Sequence, residues 1–146
     1  MSRRRILTAF SKGALSLLFV VPASAQSTSV ADLLLRDEIQ QAEKILDSQP
    51  RTAQTVAFRG EIEFRKGHFE QAEALYREAL KMDSKTARAH FGMARLAMGK
   101  VNNKAALQEL GRAIELDPKE PLYHLYASEA WGIDKNYAEQ RKQLEE

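Results

Sequence analysis

The chain contains no cysteine. Disulfides, a thiolate nucleophile and a lipidated-cysteine anchor are therefore excluded, and stability must come from packing alone. No stretch alternates apolar and polar residues for long enough to form a strand, so no sheet is expected. A Gly-rich phosphate loop, a Gly-x-Ser-x-Gly elbow and a His-Glu-x-x-His motif are also missing. No enzymatic chemistry is indicated, and neither a cofactor nor a metal is expected. Basic charge is scarcer than it first looks. Of 22 Lys and Arg against 20 Asp and Glu, four basic residues (Arg3, Arg4, Arg5 and Lys12) lie in the first 25 positions, where no acidic residue occurs. The remainder, with 18 basic residues, is slightly acidic. Nucleic acid and anionic membrane are not indicated as partners.

What is present begins with an export signal. Three arginines precede a largely apolar run, Ile6 to Val21, and Pro22-Ala23-Ser24-Ala25 ends in a small-x-small pattern. A signal peptide over 1–25 is expected, cleaved between Ala25 and Gln26. The apolar run is shorter than the ~20 residues that span a bilayer, and Lys12 interrupts it. Ser2 to Leu7 resembles a twin-arginine export signal, with Ile6 and Thr8 at the usual Phe and Lys positions, so folded and unfolded export both stay open. The mature chain is expected in a bacterial periplasm or secreted, without a membrane partner after cleavage.

Gln26 to Ser29 reads as a disordered leader. Val30 to about Ser48 reads as one helix, with Leu34, Leu35, Ile39, Ala42, Ile45 and Leu46 as its apolar stripe, ended by Pro50. Further helices are expected over Ala53–Lys66, Phe69–Met82, Thr86–Met98, Ala105–Leu116 and Pro121 to about Lys135, and a charged one over Tyr137–Glu146. Gly67 is expected to stop the first of these in a left-handed conformation, and Asn102-Asn103 to make the later break. Short connections imply antiparallel neighbours.

The second helices repeat. A shift of 34 positions lays Ala72 on Ala106, Tyr76 on Leu110, Ala79 on Ala113, Leu80 on Ile114, Met82 on Leu116 and Asp83 on Asp117. Such a period defines an array in which each helix pair buries its apolar face against the next. The residues resemble the tetratricopeptide repeat. Gly60, Ala72 and Tyr76 follow its pattern in the first unit, and Ala94, Ala106, Leu110 and Pro118 in the second. The resemblance implies an all-α, right-handed solenoid of antiparallel helix pairs: an N-terminal helix, half a repeat, at 30–52, full repeats at 53–86 and 87–120, and a partial third repeat or cap at 121–146. The small residues Gly60, Ala94, Ala72 and Ala106 would let the paired helices approach closely.

His90 and His124, also 34 positions apart, occupy one repeat position and read as packing residues, not as a metal pair. His68, beside Gly67, reads as solvated. The resemblance implies that the first helices line a concave groove, projecting it onto Gln54, Phe58, Glu61 and Arg65, then Arg88, Phe91 and Arg95, then Leu122, Tyr126 and Glu129. Arg88 and Arg95 could receive an acidic side chain or a chain terminus, or pair with Glu61 and Glu129. Ala57, Glu61 and Gly92 stand where relatives that clamp chaperone tails carry specific Lys and Asn residues, so that function is rejected. The expected function is non-enzymatic binding of a protein or peptide in the cell envelope. Two further readings stay open: the helical front of a larger exported enzyme such as a peptidase, and self-association through the ends of the array.

Overall fold

The computed structural model describes residues 29–145, with side chains to Ile133 and at Lys135. The expected signal peptide, its cleavage at Ala25 and Gln26, and the leader apart from Ser29 lie outside the described residues, as do the side chains of the charged tail. Seven helices follow one another: α1 (Val30–Leu35), α2 (Ile39–Asp47), α3 (Ala53–Arg65), α4 (Phe69–Met82), α5 (Ala87–Gly99), α6 (Asn103–Leu116) and α7 (Pro121–Glu145). No strand occurs among the described residues. No helix among them is long and apolar enough to cross a membrane.

Local chemistry sets the helix starts. Ser29 accepts the backbone N–H of Asp32, whose carboxylate accepts in return from the Ser29 backbone. Thr52 and Thr55 make the same reciprocal cap at α3, and Asn102 caps α6 through Ala105. Each cap satisfies N–H groups that lack partners inside the helix.

The first helix is a correction to the sequence reading. Val30 to Ser48 is not one helix but two, broken at Asp37, which takes φ 59°. The Asp37 N–H donates to the Leu34 carbonyl and the Glu38 N–H to the Leu33 carbonyl. Gly67, φ 81°, closes α3 in the same way: its N–H bonds Phe64 and that of His68 bonds Glu63. Val101, φ 56°, closes α5 with bonds from Val101 to Met98 and from Asn102 to Ala97. All three are the paired closure that follows a left-handed residue after a helix. The N-terminal half repeat is thus a shortened pair, α1 and α2, built on the same turn. The left-handed residue of the third turn is Val101, not an asparagine; Asn102 is the cap after it. Beyond Pro121 the chain stays helical to Glu145, so the two helices expected there are one.

Adjacent helices pack in order, and α1 touches α3 as α3 touches α5. The core falls into three segments. Leu33, Leu34, Leu46 and Ile62 join α1, α2 and α3. Val56, Ala72, Tyr76, Ala79 and Ala89 join α3, α4 and α5. Phe91, Leu110, Ala113 and Tyr123 join α5, α6 and α7. α3 and α5 each serve two segments, as expected of stacked repeats. Leu35, assigned to the first apolar stripe, instead lies 68% exposed at the end of α1.

Candidate partner-binding groove

α3 sets Glu61 and Arg65 one turn apart, and α5 sets Arg88 and Arg95 two turns apart, about 10.5 Å along its axis. The buried Glu61 carboxylate ties them together. Its Oε2 accepts from Arg88 at 2.8 Å, and its Oε1 lies 3.3 Å from Arg65 and 3.7 Å from Arg95. Side-chain exposures are 8% for Glu61, 16% for Arg88, 14% for Arg95 and 27% for Arg65. Asp37, at the rim, is 3.6 Å from Arg65 but 77% exposed. Three guanidiniums therefore share one buried carboxylate. The predicted pairing with Glu61 is present, whereas Glu129 is exposed and takes no part in these ion pairs.

Aromatic rings lie against two of the guanidiniums. Arg88 lies 4.3 Å from the Phe58 ring centre. Arg95 lies 4.0 Å from that of Phe64, 5.5 Å from Phe91 and 5.8 Å from Tyr126. Such stacking holds a guanidinium while leaving its edge free to donate. The Arg88 Nε is buried with no hydrogen-bond partner among the described residues, an uncommon state for a donor in a folded protein.

Tyr76 reaches this region from α4. Its ring passes between Gly60 of α3 and Gly92 of α5, where added Cβ atoms would lie 2.8 Å and 2.2 Å from ring carbons. Burial pushes its hydroxyl far above the ordinary tyrosine range. Glu61 pushes the same way, against Arg95, Arg88 and Arg65. The hydroxyl forms no hydrogen bond with the described residues and sits in the field of all four charged groups.

Recesses flank the cluster. One of about 280 Å³ is lined by Leu34 and Leu35 of α1, Glu61 and Arg65 of α3, Arg88 of α5 and Leu122 of α7, so that first helices of successive pairs face one space. A second, about 330 Å³, lies on the Arg95 side among Phe64, Phe69, Leu96 and Lys100. A more polar cleft of about 510 Å³ holds Gln54 with Lys85, Thr86, Arg88 and Tyr123. Burial pushes the Tyr123 hydroxyl up to about 12.

The projected groove residues thus divide. Glu61, Arg65, Arg88 and Arg95 converge. Phe58 and Tyr126 are half-buried beside them, and Leu122 lines the first recess. Gln54 belongs to the polar cleft. Phe91 is only 4% exposed, packed 4.9 Å from Tyr123 and 5.0 Å from Tyr126 between ring centres. It belongs to the core and offers a partner no surface, a correction to its projection. Tyr76 and Phe64 were missed. The signal for Tyr76 was the pair of mid-helix glycines, which a helix tolerates at a cost and which points to close packing.

His90 and His124 occupy equivalent places, each with Nε2 on the carbonyl six residues before it, Ser84 at 3.0 Å and Pro118 at 2.9 Å. The Nδ1 of His90 adds Glu109 at 2.7 Å. His68 is half-exposed, 2.7 Å from Glu63.

Residues 59–121 match the tetratricopeptide repeat family. The match runs from within α3 through α6 to the start of α7, across both units that echo each other in sequence. Over residues 59–121 the chain carries tetratricopeptide repeats, within an all-α stack of helix pairs. A search of the curated proteins found no match.

Proposed function

We propose that this protein is a non-enzymatic adaptor of the cell envelope that holds a segment of another protein in its concave groove. Tetratricopeptide repeats commonly serve as protein-interaction modules. The observation that carries the reading here is the recess framed by α1, α3, α5 and α7, with apolar walls at Leu34, Leu35 and Leu122 and a charged floor at Glu61, Arg65 and Arg88. An apolar space with a few convergent polar groups is what a bound segment requires. Export follows from the reading of 1–25 as a signal peptide.

A photo-reactive amino acid placed at Leu122 in the groove, or at the exposed Arg112 on α6, tests the site in intact cells. Adducts to another protein from position 122 and none from 112 are expected. Adducts from 112 alone would move the binding face elsewhere. The mass of the secreted or periplasmic form checks export, with an N-terminus at Gln26 expected.

A further inference from the structure

Within that groove, the ion-pair contacts are unequal. Arg65, Arg88 and Arg95 bring three positive charges to the single buried carboxylate of Glu61. Of the two other acids nearby, Asp37 is exposed to solvent and reaches only Arg65, and Glu120 lines the same recess as Arg65 and Arg88 but forms no ion pair with the three arginines. Half-buried charge without a counter-charge is costly, because solvent repays little of the lost hydration. One buried hydrogen-bond donor also lacks an acceptor among the described residues, the Arg88 Nε, and the Tyr76 hydroxyl, on a ring threaded between Gly60 and Gly92, lies in the field of the same charges. The buried atom left unsatisfied at this place is a donor on a cation. Phe58 and Phe64 already pack against the two guanidiniums of α5, so little ordering remains to be done when an acceptor arrives.

We propose that Arg65, Arg88, Arg95 and Tyr76 form a subsite for one carboxylate, supplied by an Asp or Glu side chain within an apolar segment of the bound protein. A side chain is chosen over a chain terminus because apolar recesses lie on both sides of the cluster, one walled by Leu34, Leu35 and Leu122 and the other by Phe64, Phe69 and Leu96. A segment passing through would set an apolar residue in each and its acid between them. A single negative charge fits best, since Glu61 stays inside the cluster and repels a dianion such as phosphate.

The inference rests on the groove reading, and one experiment separates the two. The mature chain, immobilised whole, is panned against a library of random peptides about 12 residues long. Enriched peptides are expected to share one Asp or Glu between apolar residues. Changing that acid to its amide in the peptide should weaken binding on the order of tenfold or more. This change leaves the protein untouched, so folding cannot confound it. R88M and R95M together should remove the acid preference, with circular dichroism confirming the helices. Enriched peptides that lose binding to Leu122→Glu but carry no shared acid would overturn this inference and leave the groove standing. Peptides indifferent to both Leu122→Glu and the arginine changes, or no enriched peptide at all, would overturn both.

Discussion

The Tyr76 ring occupies the space that a side chain at Gly92 would need: a Cβ there would stand 2.2 Å from Cζ and 2.4 Å from Cε1. On the opposite side, a Cβ at Gly60 would stand 2.8 Å from Cδ1 and Cε1. An exposed helical glycine costs about 1 kcal/mol relative to alanine, so Gly→Ala in a helix ordinarily stabilises. Here the sign should reverse. Gly92→Ala is expected to destabilise by roughly 1–3 kcal/mol, the usual cost of overpacking, and Gly60→Ala by less, because its clash is milder. Urea unfolding followed at 222 nm measures both. In the double variant Y76A/G92A the glycine change should cost less than it does alone, because the ring that it strikes is gone. A Gly92→Ala protein as stable as the parent would show that the ring does not fix this packing.

Val101 carries a strain that its counterpart Gly67 avoids. Both hold a left-handed backbone and the same pair of closing hydrogen bonds. A left-handed conformation costs an L-residue with a Cβ about 1–2 kcal/mol, and branching at Cβ makes valine a poor occupant. The Val101 side chain is 65% exposed, so removing it forfeits little packing. Part of the gain is lost to the freer unfolded chain that glycine brings. Val101→Gly should therefore stabilise by about 0.5–1 kcal/mol, seen as a melting point a few degrees higher. An unchanged or lower melting point would mean that Val101 makes contacts outweighing its strain.

Two carboxylates predict how acid acts on the fold. The hydrogen bond from His68 is the main influence holding Glu63 below the usual 4.5, with Lys66 assisting against desolvation. Hydrogen bonds from Lys100 and then Arg77 do the same for Glu73. A carboxylate whose folded value is depressed contributes stability that is present above its unfolded value and is lost as pH falls through the folded one. Stability should hold down to about pH 4.5 and decline below it. Each side chain is about one quarter exposed, so solvent screening keeps these contributions small. Carboxyl carbon NMR should show both groups titrating below an ordinary glutamate. Lys100→Met should move Glu73 upward and leave Glu63 in place. If Glu73 titrates at or above 4.5 in the parent, the Lys100 contact does not persist in solution.

The parts of this protein that are legible in sequence are those in which one residue type answers one geometric need. Ala72, Ala79, Ala106 and Ala113 recur because two helices touch there, and all four are fully buried. Gly67 marks its turn because its backbone demands a positive φ. Where tertiary structure overrides local preference, the sequence misleads. Val101 adopts a conformation that valine disfavours, and Asp37 breaks a helix whose apolar pattern runs on through it. Phe91 occupies the position that Leu125 takes in the next unit. Leu125 lies 60% exposed on α7, whereas α7 itself covers Phe91 with Tyr123 and Tyr126. Equivalent repeat positions thus differ in burial according to the helix that covers them. The charged part of the groove was visible as residue types, but the threading of Tyr76 from α4 was not, because it depends on two glycines from different helices.

Glu61 is the residue whose replacement separates structure from recognition. Its carboxylate meets three arginines at 8% side-chain exposure. Glu61→Gln keeps the volume and removes the charge, leaving three guanidiniums facing one another in a half-buried site. Breaking a fully buried pair costs about 3–5 kcal/mol; partial exposure of the arginines should reduce this to roughly 1–3 kcal/mol. The loss should be partly reversed by R88M, which lowers the repulsion, and by sodium acetate relative to sodium chloride at equal ionic strength. The parent should respond to acetate much less. A structural ion pair alone accounts for the first loss but not for rescue by a free carboxylate. Thermal melts of the parent, E61Q and E61Q/R88M in the two salts provide the comparison. An E61Q protein no more responsive to acetate than the parent would mean that the three arginines need no carboxylate beyond their own.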